Sequence, residues 1–451
     1  MNAGLTKKYT LSTAIAMVVG IVIGSGVFFK AEKILIVTGG NVMLSVTAWA
    51  LGGLIMLICT YAFSILAGRY ESVGGLVDYA EALVGKRYSY FVGWFMCLVY
   101  YPTLAAAVAW VAARYFCLLI GWQTTGGTAL SLSAFFMISA FTVNALSPVL
   151  AGKIQIVCTI IKLIPLLLMG LVGTVSGLTN GILIQNIKDT LPVSSIAPAL
   201  AVALPATAFA YDGWIVATSI NAELKNAKRN LPLALLAGSL IVIVAYIFYC
   251  VGLSGAIPKE DMMQMGEAAV YEAFNILFTP IGSTLLLVFI MISCLGTLNG
   301  LMLGNARGLY ALAIRQEGPS PHIFIQLDKA TNVPVNSAIW GLFVSIFWLL
   351  YYTVTSLNGT ALQFGFDITE LPAVTMYAAY IPIFIMMTKK ERQLTAYKRF
   401  FIPACAIISC LFMITSAWLA HRDTVHWYVI AFGLIMFIGA LFRSSPENRS
   451  S

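Results

Sequence analysis

Three places in this 451-residue chain put groups able to hold a small charged molecule inside otherwise apolar segments. The first is Ile23-Gly24-Ser25-Gly26-Val27, in the middle of the run "AIAMVVGIVIGSGVFFK". The second is "LPATAFAYDGWIVATS", where Pro205 precedes Phe209, Ala210, Asp212 and Gly213. The third is Lys162, deep in "IVCTIIKLIPLLL". Gly-Ser-Gly interrupts a helix, and a second half-helix restarting near Val27 turns its first unpaired N–H groups and the positive end of its dipole into the gap. That is an anion site made of backbone, suited to a carboxylate, and glycine lets a ligand approach without a Cβ in the way. In the second segment the carbonyls freed around Phe209 and Ala210 are acceptors suited to an ammonium group. A ligand with carboxylate and ammonium on one carbon, an α-amino acid, satisfies both breaks. Other readings stay open from the residues alone. Gly24 and Gly26 can serve close helix packing, Phe209 can be a core or lipid-facing aromatic, and Asp212 can cap a broken helix as readily as it can touch a ligand.

The same residue inventory offers little to a membrane enzyme. There is no HExxH and no Walker loop, and Gly24-Ser25-Gly26 lacks the third glycine and the preceding strand of a dinucleotide site. The eight cysteines (Cys59, Cys97, Cys117, Cys158, Cys250, Cys294, Cys405 and Cys410) all fall in apolar runs without a CxxC pair, which reads as small buried hydrophobes. His322, His421 and His426 fall in loops or at span ends. Neither a cofactor nor a metal is expected, and the chain is not expected to be an enzyme.

The elements that must position these groups are membrane helices. Hydrophobic residues make up 60% of the chain and charged residues 10%, against about 25% charged in a soluble domain. Runs near the roughly 20 apolar residues that span a bilayer cover 11–38, 42–67, 88–119, 128–147, 149–176, 196–220, 231–256, 279–313, 335–356, 361–388, 399–420 and 425–442. This predicts an all-α integral membrane protein of twelve transmembrane helices forming a single transporter domain, 1–451. Lys7 and Lys8 precede the first run, but it is too long for a signal peptide and no cleavage site follows, so it is expected to stay. With a cytoplasmic N-terminus, nearly all loop lysines and arginines fall inside, among them Arg69, Lys86, Arg87, Lys153, Lys228, Arg229, Arg307, Arg315, Lys389, Lys390 and Arg443; only Lys188, Lys259 and Arg422 fall outside. The asymmetry predicts both termini in the cytoplasm. It also accounts for the +8 net charge through many short loops rather than one patch, so no nucleic-acid partner is expected.

The first and sixth runs are both interrupted, and they stand five spans apart. That spacing predicts two inverted repeats of five helices, 11–176 and 196–388, with a final pair at 399–442. Interrupted segments at matching places in two halves point to a transporter's binding site. Lys162 is too deep to snorkel easily, so it is expected to have a partner or to face a polar cavity, the alternative being a reach toward headgroups or a structural carbonyl.

"GIVIGSGVFF", "TIIKLIPLLLMG", "FAYDGW" followed by "ELKNAKRNLPLA", and "LGTLNG" resemble the amino acid–polyamine–organocation superfamily. The likeness is nearest to its L-type amino acid transporter branch, including bacterial serine/threonine and alanine/serine/cysteine exchangers, and covers spans 1–10 in order. It implies a LeuT-type 5+5 inverted repeat with discontinuous helices 1 and 6, and sodium-independent exchange by alternating access. By resemblance, Gly24, Ser25 and Gly26 hold the substrate carboxylate, Phe209 is the gate that swings over it, and Ala210 offers a carbonyl to the ammonium. Tyr246 and Asn299 match polar positions near the site. The resemblance also puts the Lys162 ammonium where sodium-driven relatives bind an ion, bonding carbonyls near Gly20 and Ile21 with Tyr246 completing the network. Animal members join a glycoprotein through a cysteine after span 3; the loop here, "GWQTTGG", has none, so no disulfide-linked glycoprotein partner is expected. The preferred substrates are small neutral L-amino acids such as alanine, serine, threonine and cysteine. Asp212 keeps open a cationic amino acid or polyamine transporter, or a proton-coupled symporter, on the same fold. The expected location is a plasma membrane, specifically a bacterial inner membrane.

Overall fold

The structure, a computed structural model, describes residues 7–24, 26–70, 74–188, 196–265, 268–358 and 365–443. It is all-helical among these residues apart from one isolated parallel bridge, Tyr9 to Leu224. The long helices are α1 (Leu11–Val22), α2 (Gly26–Val37), α3 (Val42–Ala67), α4 (Lys86–Ile120), α5 (Gly127–Leu146), α6 (Pro148–Thr179), α7 (Ile196–Ala210), α8 (Ala227–Ala256), α9 (Ala268–Asn305), α10 (Val335–Asn358), α11 (Glu370–Lys390), α12 (Ile402–Ala420) and α13 (Val425–Leu441). A 3₁₀ segment, Trp214–Glu223, continues α7 after a turn at Tyr211–Gly213.

Among the described residues ten helical stretches are long and apolar enough to cross a membrane, and the bent pair α1 and α2 makes an eleventh. The expected twelfth run is α13, which at 17 residues is shorter than that criterion. The run expected from 279 begins eleven residues earlier, at Ala268: its helix is kinked at Thr279, where φ is 68°, just before Pro280. Proline cannot donate to the preceding turn and drives its neighbour out of helical geometry, so the apolar run restarts there. The expected start at 361 falls outside the described residues, and α11 begins at Glu370.

Most spans turn apolar side chains outward, for example Ile281 and Phe343, as helices facing hydrocarbon must. The exception is α7 with its 3₁₀ continuation, the most enclosed of the spans. Around this centre α9 runs against α4, α8 against α3, and α1 against α6, α8 and α9. The two broken elements therefore lie inside a shell of intact ones, the only place where interrupted backbone is tolerated at membrane depth.

Candidate functional site

Both predicted interruptions occur. α1 ends at Val22 and α2 begins at Gly26; Ser25 lies outside the described residues. The α1 break tightens through Gly24 N–H donating to Val22 O at 2.8 Å, which leaves earlier carbonyls without helical partners. Side chains of α6 and α9 take these up. Lys162, fully buried, donates to Gly20 O at 2.6 Å, Ile23 O at 2.5 Å and Ser293 O at 3.0 Å, and reaches Thr297 Oγ1 at 3.2 Å. Thr297 Oγ1 in turn lies 3.0 Å from Gly20 O and 3.2 Å from Ile23 O, and Ser293 Oγ 3.1 Å from Gly24 O. The expected partner Ile21 is replaced by Ile23 as the lysine's second carbonyl, because the loop past Val22 folds back toward α6.

Tyr246 does not join Lys162. Its hydroxyl bridges Val22 O at 3.0 Å and Ala210 O at 3.1 Å, tying one break to the other. A carbonyl carries two lone pairs, so Ala210 O keeps one for a ligand. In the second break Gly213 has φ 100°, a conformation that glycine adopts freely and side chains do not. A Cβ there would lie 2.6 Å from Ile21 Cγ2, and one on Gly26 would lie 3.1 Å from Ala210 Cα. The two breaks thus touch because neither carries side chains at these positions.

Between them is a cavity of about 30 Å³, lined by Gly24, Gly26, Phe209, Asp212, Gly213 and Thr297 with Leu104 and Val108 of α4. That is room for about two waters. Asp212 is buried and accepts from the Tyr100 hydroxyl at 2.9 Å through Oδ1; Oδ2, beside the Gly213 N–H, has no well-formed hydrogen bond. Asn299 is not brought to this wall. It faces α5 and α6, donating to Ala151 O and Gln155 Oε1, each at 3.1 Å, and accepting from Asn144.

Two ionic clusters join distant helices, one at each end of the bundle. At one, the Glu370 carboxylate is fully buried, with Lys30 Nζ at 2.5 Å and Lys33 Nζ at 2.6 Å on Oε1 and His421 Nε2 at 2.7 Å on Oε2. Lys30 Nζ also stands 5.3 Å from the Phe209 ring centroid, a cation–π distance. Sequence reading missed this cluster: Lys30 and Lys33 share a helix face by their spacing, but nothing local points to an acid 340 positions on. At the other end Lys8 and Tyr9 N–H donate to Glu223 O, and Lys225 N–H to Tyr9 O. The buried Glu223 carboxylate binds Arg307 at 2.5 Å, with Lys8 at 3.7 Å. Burial lowers the proton affinity of Lys8, and Glu223 opposes that shift.

A family profile described as amino acid permease matches residues 9–441. The chain belongs to the amino acid permease family. Its relatives include the "Serine/threonine exchanger SteT" of Bacillus subtilis (strain 168), 28% identical over 92% of this chain and 91% of the relative. The mouse "b(0,+)-type amino acid transporter 1" is 25% identical over 97% of this chain and 88% of the relative. Among solved structures, MhsT in complex with L-phenylalanine superposes with a TM-score of 0.64 at 13% identity, covering 92% of this chain and all of that one. The permease therefore has the LeuT-type fold that the family resemblance implied. It is a multi-pass membrane transporter rather than an enzyme.

Proposed function

We propose that this permease is a sodium-independent exchanger of small neutral L-amino acids, working by alternating access from a plasma membrane with both termini cytoplasmic. One observation carries the reading: two broken helices face each other across a small cavity, with α2 starting at Gly26 on one side and the Ala210 carbonyl on the other. The first offers positive N–H groups to a carboxylate and the second an acceptor to an ammonium. The relatives' names support amino acid exchange, and the ammonium of Lys162 bonded to the α1 carbonyls supports independence from sodium. The cavity's size favours small substrates. Taken as inverted repeats, 11–176 and 196–388 would put the two breaks at matching positions, and the distribution of lysine and arginine supports the orientation. The 121–127 loop carries no cysteine for a disulfide-linked subunit to bond.

The test is uptake of labelled alanine or serine into proteoliposomes. Exchange needs an internal amino acid and runs in sodium-free buffer; accumulation driven by sodium or by a proton gradient from empty vesicles would overturn this reading. Gly26→Leu should abolish the substrate-dependent rise in unfolding temperature while leaving folded protein, because its side chain must enter space held by Ala210 and Phe209. An unaltered titration curve would show that the ligand does not sit at the start of α2.

A second reading rests on Asp212, a carboxylate on the cavity wall. If it meets a substrate cation, lysine or arginine competes with alanine at comparable concentration, and Asp212→Asn removes that competition at least ~10-fold, about 1.4 kcal/mol. On the neutral reading Asp212 braces Tyr100 and the turn at Gly213. Asp212→Asn then lowers stability for every substrate alike, and this is the outcome expected.

A further inference from the structure

A second, wider opening lies away from the broken helices. A cavity of about 440 Å³ sits between α4, α9 and α10, with Val111, Leu118 and Leu287 as apolar wall and Arg114, Tyr271 and Tyr352 as polar wall. Arg114 stands six residues before the end of α4, about 9 Å of helix. Its Nε is buried without a hydrogen bond, and it has no ion pair among the described residues. Arg114 as a whole is half-buried, whereas the fully enclosed cations Lys30, Lys162 and Arg307 have carbonyl or carboxylate partners. A guanidinium at this depth without one is costly, and among the described residues no carboxylate lines the cavity to supply it. Leu118 at the mouth is 51% exposed, and the outer faces of α9 and α10 carry Leu285 and Leu350, also exposed. The opening thus borders the surface that meets hydrocarbon.

We infer that this cavity binds an anionic phospholipid, its headgroup phosphate paired with Arg114 and its chains running along Leu118 and Leu287. Guanidinium and phosphate match as planar fork and paired oxygens, and tyrosines belong at headgroup depth. An amphiphile fits where a soluble anion does not, because most of the wall is apolar. Its occupant would bridge α4, which walls the central cavity through Leu104 and Val108, to α9, which holds the α1 break through Ser293 and Thr297.

The test uses the full chain in a neutral maltoside detergent. Unfolding temperature is followed during titration with dioctanoyl-phosphatidylglycerol, dioctanoyl-phosphatidylcholine or inorganic phosphate. Phosphatidylglycerol is expected to raise the midpoint by about 3 °C at saturation, phosphatidylcholine less, and inorganic phosphate not at all. Arg114→Gln should lose the difference between the two lipids. Ala268→Phe, which fills the cavity and leaves Arg114 in place, should lose the shift as well, and serves if Arg114→Gln does not fold. A shift retained in the variants that fold would put the lipid elsewhere. An equal response to phosphate alone would make the ligand a free anion, and no lipid-dependent shift in the wild type would leave Arg114 snorkelling to the interface; either result overturns the inference.

Discussion

Glu370→Gln should be the most damaging single substitution at the closed end near Phe209. It removes one buried negative charge from among Lys30, Lys33 and His421. Breaking a buried pair by deleting one partner costs about 3–5 kcal/mol, chiefly because the remaining charge stays desolvated. Lys30 is itself buried and cannot reach water without moving α2. The expected result is a fall in unfolding temperature and at least a ~100-fold shift toward conformations in which α2 and α11 separate, since 1.4 kcal/mol is a factor of ten. Exchange should slow accordingly, because closure at this end is part of each cycle and lids that fail to close leave the site open to water. The cluster is separable from the rest by a double-mutant cycle: Lys30→Met with Glu370→Leu should be less destabilised than the sum of the singles. Additive losses, or a Glu370→Gln variant with wild-type stability, would show that the carboxylate does not hold the two helices together.

Lys162→Ala is expected to cripple exchange by a different route. It deletes four contacts that hold the interrupted α1 against α6 and α9. Hydrogen bonds from a charged donor contribute about 1.5–3 kcal/mol each, but Thr297 and Ser293 also cover Gly20 O, Ile23 O and Gly24 O. The chain should therefore fold, with the break looser and substrate affinity weakened from at least one side of the membrane. The measurement is exchange in sodium-free buffer, wild type against variant, with substrate presented from each face in turn. A wild type that stops without sodium, or a variant with unaltered kinetics from both faces, would show that this ammonium does not stand in for an ion.

Lys162 also shows how far the chain could be read unaided. A lone lysine midway along an apolar run has to find partners, and that follows from desolvation alone. Likewise the paired interruptions at Gly24 and Asp212-Gly213 are legible because lipid permits so few reasons for breaking a helix. These local constraints gave the fold class and both helix interruptions. They did not give Ile23 as the lysine's second carbonyl, or Tyr246 as the bridge between the breaks rather than a neighbour of Lys162. Both depend on where the backbone of Val22, Ile23 and Gly24 lies once α1 ends, and that is set by contacts with α6, α8 and α9.

Asn299 marks the limit from the other side. Its type and position in "LGTLNG" suit a binding site, yet its helix face meets Asn144 and Gln155, while Thr297, two residues earlier, lines the cavity. Two residues along a helix turn a side chain by about 200°, so the choice between them lies in the rotation of α9, which no short-range pattern records. The Glu370 cluster and the cavity at Arg114 are further cases. Hydrophobic patterning determines that segments cross the membrane and where they must break, because every residue in lipid feels the same solvent. Which distant charges meet, and which charge is left without a partner, is decided only when the helices pack, because those contacts join positions hundreds of residues apart.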